Sequence, residues 1–173
     1  MNLAQKIVSV SRTLVRGYKV ETPVRGSRRA ARRYLDEALN GRRPFDGLQV
    51  HYQIGLENWR YGKTLLVVRG DGSASVRNVA RSEIKNLTGT LAQGEFRELI
   101  EIMSRQRFYE VDPVKTCSFA DQSEIEVILV EVTQPDKFWV RVWENDVANY
   151  PGFAAVVAKM RDILKQVTGG AII

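Results

Sequence analysis

One cysteine, Cys117, and one histidine, His51, stand in a chain of 173 residues. A lone cysteine makes no internal disulfide and no cysteine zinc cluster, and a lone imidazole excludes any site built on two. No run approaches the roughly 18 apolar residues that cross a bilayer. No apolar core with a small-residue cleavage site follows Met1, so the expected setting is reducing and cytoplasmic. The phosphate-cradling patterns Gly-x-x-x-x-Gly-Lys and Gly-x-Gly-x-x-Gly are missing, as is the Gly-x-Ser-x-Gly nucleophile elbow. No repeated unit and no low-complexity segment occurs.

What is present is an ordinary globular composition with an uneven charge. Hydrophobic residues make up 44% and charged residues 27%, which suits one domain, or one domain with an extension. Residues 1–43 hold 11 Lys and Arg against Glu21, Asp36 and Glu37, a net of +8. The remainder holds 15 bases and 17 acids, a net of −2, so the overall +6 comes from the first quarter. Segregated charge of this kind concerns partners rather than fold.

The apolar spacing sets the elements. Leu3, Ile7, Val10 and Leu14 recur at helical intervals and predict an amphipathic helix over residues 2–18, with Lys6, Arg12 and Arg16 off the apolar line. Residues 19–26 read as a linker. Ser27 is placed to cap a second helix running to about Leu39, whose apolar line is Ala31, Tyr34, Leu35 and Ala38. From Gly47 the period becomes 2. Leu48, Val50, Tyr52 and Ile54 alternate with Gln49, His51 and Gln53, which marks a half-buried strand. Lys63–Arg69 is a second strand, Gly70-Asp71-Gly72-Ser73 a hairpin turn, 74–80 a third strand and 84–91 a weaker fourth. A helix is expected over 93–105. The most apolar strand, 124–132, is expected to lie inside the sheet. A turn at 134–137 then leads into strand 138–144. Asn145 and Asp146 are expected to cap the last helix, which Phe153 to Val167 outline. Hairpin-linked strands with few helices predict an α+β fold, a mainly antiparallel sheet with helices on one face, preceded by two basic N-terminal helices. The expected division is an arm, 1–43, and a globular domain, 44–173.

Arg28, Arg29, Arg32 and Arg33 form like-charge pairs at i,i+4, a spacing that weakens an isolated helix and favours anions nearby. With Arg42 and Arg43 they are the expected binding residues for an acidic partner, either another protein or a second copy of the chain. Nucleic acid is a further reading, though aromatic interleaving is limited to Tyr18 and Tyr34. An anionic membrane surface, or a mitochondrial address in a eukaryote, is suggested by the acid-free residues 1–20.

No catalytic, metal or cofactor site is expected. His51 sits at a polar position of an alternating strand, and Cys117 has no nucleophile motif around it. Asp112, Asp121, Glu124 and Glu126 gather near the start of one strand, and Glu124 and Glu126 share a face. They define a Mg²⁺-dependent enzyme as one alternative, but no lysine stands two places after an acid there to complete a nuclease-like set. Trp139, Arg141 and Trp143 lie on one face of the last strand, opposite Phe138, Val140 and Val142. Covered by helices, the first three are core; left open, they form an adhesive platform of the kind found at binding hot spots. Trp59, in the loop before the second strand, is another candidate contact.

Further short motifs are the Asp71-Gly72 turn, the Arg107-Phe108-Tyr109 segment closing a helix, and Phe119-Ala120-Asp121-Gln122 leading into a strand with Ile125 and Val127. On these, residues 47–167 resemble a small bacterial α+β module whose best-known members are emfourin-type inhibitors of protealysin-like metalloproteases. The resemblance implies a proteinaceous protease inhibitor as an alternative function. Leu56-Glu57-Asn58-Trp59 stands where that group carries a Ser-Gly-Gly-Phe-like segment, the basic arm lies outside the resemblance, and no functional residue is carried over. The preferred expectation is a non-catalytic interaction module, a subunit or adaptor whose basic arm docks an acidic partner.

Overall fold

Apolar residues at period 2 can bury only one side of a strand, and six strands assemble here into one antiparallel sheet with helices packed on one face. The computed structural model describes residues 25–55, 62–80, 83–112, 123–133 and 137–172. The expected first helix, the linker before residue 25, Trp59, Cys117, Asp121 and the turn at 134–136 lie outside the described residues.

The strands are β1 (Leu48–Gly55), β2 (Lys63–Arg69), β3 (Ser73–Ala80), β4 (Glu83–Thr90), β5 (Glu124–Glu131) and β6 (Lys137–Trp143). The helices are α1 (Arg25–Leu39), α2 (Glu95–Arg105) and α3 (Pro151–Thr168). In space the strands run β4-β3-β2-β1-β5-β6, every neighbouring pair antiparallel. β1 to β4 form a meander, and β5 returns after α2 to pair with the free side of β1. β5 is internal, as its apolar sequence predicts, but lies one strand from the edge.

Register fixes which side chains share a face. Tyr52 stands opposite Leu66 on one side and Val127 on the other, and Val127 opposite Val140. That row joins Val50, Val68, Ala74, Val76, Ile125, Leu129, Phe138 and Val142 in a core closed by the helices. α2 contributes Phe96, Leu99, Ile100 and Met103, and α3 contributes Phe153, Val156, Val157, Met160 and Ile163. Burying each such side chain contributes roughly 1.5–3 kcal/mol. Gly89 lets α3 approach β4: a Cβ there would meet Val167 Cγ1 at 3.2 Å. Gly70 is more constrained, since a Cβ would meet the Phe45 carbonyl oxygen at 1.7 Å.

Two local expectations are corrected. α1 begins at Arg25, so Ser27 lies within the helix rather than before it. Residues Glu144–Asn149 form a 3-10 turn and α3 starts at Pro151 behind Tyr150, so Asn145 and Asp146 do not cap it. Proline's fixed φ suits the first helical position and sets that start. α1 buries Ala31, Tyr34, Leu35 and Ala38 in the same core cluster as side chains of the sheet, α2 and α3.

Candidate functional site

The arginines expected to meet a partner divide into two kinds. Arg43 is turned inward. Its Nη1 donates to Glu131 Oε2, its Nε donates to Glu37 at 3.1 Å, and its guanidinium lies 4.6 Å from the Tyr34 ring centre. The Glu131 side chain is 0% exposed and also accepts from the Thr133 backbone N–H at 3.0 Å and hydroxyl at 2.6 Å. Arg43 therefore joins the end of α1 to the end of β5.

The others face outward. Arg28 pairs with Asp112 at 3.0 Å, Arg32 with Asp36 at 3.6 Å and Arg33 with Glu37 at 3.9 Å. These side chains are partly to well exposed, and solvent-exposed pairs contribute about 0–1 kcal/mol each. Arg29 and Arg42 are exposed and have no carboxylate partner among the described residues.

The sheet's second face carries no helix among the described residues. Four cross-strand rows build it. The first is Trp143–Glu124 beside Gly55–Lys63–Val79–Ile84. The second is Arg141–Glu126–Gln53–Leu65–Arg77–Asn86, and the third is Trp139–Ile128–His51–Val67–Ser75–Thr88. The fourth is Lys137–Val130–Gln49–Arg69. Leu65, Val67, Ile128, Val130, Trp139 and Trp143 are half-buried, and Ile84 is 55% exposed. None of these belongs to the core cluster.

Arg141 organises one end of this face. Its guanidinium reaches Glu126 at 3.0 Å and Glu124 at 3.6 Å and lies 5.2 Å from the Trp139 ring centre. Glu124 and Glu126 do share a face, but both pair with Arg141, and Arg28 holds Asp112. No group of three or more His, Cys, Asp or Glu side chains is placed to hold a metal among the described residues. His51 Nε2 lies 3.2 Å from Gln49 Oε1, and burial, reinforced by the nearby Arg69 charge, pushes its pKa below the ordinary 6.5. On the covered side Arg161 donates to the Tyr52 hydroxyl at 3.3 Å and to Glu144 at 2.8 Å, tying α3 to the sheet; burial raises the Tyr52 phenol.

The sequence reading missed Glu131, Lys63, Arg77 and Lys137. The signal for the open face was the unbroken apolar run Leu65–Val68, which places Leu65 and Val67 on a side that an ordinary one-sided strand leaves polar. No protein-family model and no curated protein matches this chain. No helix among the described residues is long and apolar enough to cross a membrane.

Proposed function

We propose that this chain is a non-catalytic interaction module that docks an acidic partner through the outward arginines of α1 and the turn after it. The observation that carries the reading is the state of those guanidinium groups. Residues 25–43 hold seven arginines against Asp36 and Glu37. Arg29 and Arg42 have no carboxylate partner among the described residues, and Arg32 and Arg33 have only long, solvent-exposed ones. α1 is held by its inner face, so its outer face is displayed on a fixed support rather than on a loose arm. A rigid display lowers the ordering cost of binding. The pairing of Glu124, Glu126 and Asp112 with arginines favours this over the Mg²⁺-enzyme alternative.

The test is charge reversal in the full chain, because removing residues 1–43 would take a core helix with it. Arg29→Glu with Arg42→Glu leaves the melting temperature within a few degrees of the parent and removes the partners that the parent captures from its native lysate. Unchanged partners would refute the reading. Parent and variant forming the same homo-oligomer, with no other partner, would also refute it.

A further inference from the structure

We infer that the open face of the sheet is a second docking surface, and that its occupant is an acidic amphipathic helix of a partner protein. The inference rests on the interaction-module reading and names a different surface for it.

Shape and composition come first. The rows span β6 to β4 at about 4.8 Å per strand and repeat at about 6.7 Å along them, a platform wide enough for a helix of about 10 Å diameter. Its apolar side chains form two strips, Leu65 and Val67 on β2 and Ile128 and Val130 on β5 with Trp139 alongside, and Gln49, His51 and Gln53 of β1 lie between them. Exposed apolar surface rimmed by polar groups is characteristic of interaction sites.

Charge then selects the occupant. The face carries Lys63, Arg69, Arg77, Lys137 and Arg141 against Glu124 and Glu126, and Arg141 holds both of those carboxylates. Lys63, Arg77 and Lys137 have no carboxylate partner among the described residues, while Arg69 donates to Ser75 Oγ at 3.3 Å. These cations lie in the first, second and fourth rows and so bracket the apolar strips.

Four occupants can be compared on that basis. The chain's own leading segment has the apolar line but contains no acid before Glu21, so it meets this face with like charge. A second copy of the face does the same. Single-stranded nucleic acid has the right sign, but it also needs aromatic platforms on which its bases stack. Here the apolar strips are mainly aliphatic and Trp139 already has Arg141 over its ring. A helix with a leucine stripe flanked by Asp and Glu matches both the apolar strips and the cationic rim.

The probe is a synthetic helical peptide of about five turns, about 18 residues, with leucines at i, i+3, i+4 spacing and glutamates beside them. It is titrated calorimetrically into the full chain, next to a twin with lysine for glutamate and a thymidine oligonucleotide. Arg77 and Lys137 are both exposed, so Arg77→Glu with Lys137→Glu keeps the parent circular dichroism. The expected result is binding of the acidic peptide alone, weakened about tenfold or more by that double variant, a loss of about 1.4 kcal/mol. Arg29→Glu with Arg42→Glu leaves it unchanged. No binding, equal binding of the lysine twin, tighter binding of the oligonucleotide, or dimerisation through this face would overturn the inference. If only the α1 variant loses the peptide, the inference fails and the α1 reading stands. If lysate partners ignore the α1 variant while the peptide result holds, the reverse follows.

Discussion

The two faces of the one sheet are made by alternate residues of the same strands, yet one is a packed core and the other is a half-open surface with apolar strips of its own. Leu66 is fully buried beneath the helices, and Leu65, its chain neighbour, faces the other way. Arg43 is committed to Glu131, and Arg42, beside it, is not paired among the described residues. Neighbours of the same residue type thus answer to different physics, and that separates residues that hold the fold from residues available to a partner.

The arginine pair gives the largest expected difference. Arg43→Ala strands a buried carboxylate and lowers stability by about 3–5 kcal/mol, whereas Arg42→Ala changes it by under about 0.5 kcal/mol. Urea unfolding of both variants measures this, and equal effects would place Glu131 in contact with water. The leucine pair comes next. Leu66→Ala costs about 2–5 kcal/mol through the lost burial and the cavity it leaves. Leu65→Ala costs under about 1 kcal/mol, because little of its contact area is lost from a packed interior. A third test concerns backbone approach. Gly70→Ala forces a Cβ against the Phe45 carbonyl and lowers stability by about 1–3 kcal/mol, while Gly72→Ala leaves open space undisturbed and is opposed only by its positive φ.

The smallest effect is electrostatic and lies on the open face. Because the folded state holds His51 below its ordinary pKa of 6.5, the neutral ring is favoured in the fold. The stabilisation is complete above pH 6.5 and is lost as pH falls through the folded value, where the unfolded chain takes up the proton first. His51→Gln removes that part of the pH dependence. A parent and variant with parallel stability profiles between pH 7 and pH 5 would show the ring to be fully solvated.

The sheet and its helices were legible because their apolar spacing is regular. β1 alternates without a fault, the Gly70–Ser73 turn separates β2 from β3, and α2 presents Phe96, Leu99, Ile100 and Met103 at helical intervals. The inner line of α1 was also readable, but the arginines around it drew attention to charge and away from burial. The start of α3 was misplaced because Asn145 and Asp146 are good cap residues, while Pro151 fixes the true start through its own φ. The Arg43–Glu131 pair was out of reach, because its members are 88 residues apart and meet only through the antiparallel return of β5. The open face was half legible: Trp139, Arg141 and Trp143 were assigned to one side, but whether anything covers that side depends on where three helices settle.

Lysine acetylation footprinting of the full chain, free and with the acidic amphipathic peptide, tests the account most directly. Lys63 and Lys137 stand on the open face, and Lys165 is exposed on α3, on the opposite side of the sheet. The account predicts that the peptide shields Lys63 and Lys137 and leaves Lys165 as reactive as before. Equal reactivity of all three with and without peptide, or shielding of Lys165 alone, would contradict it.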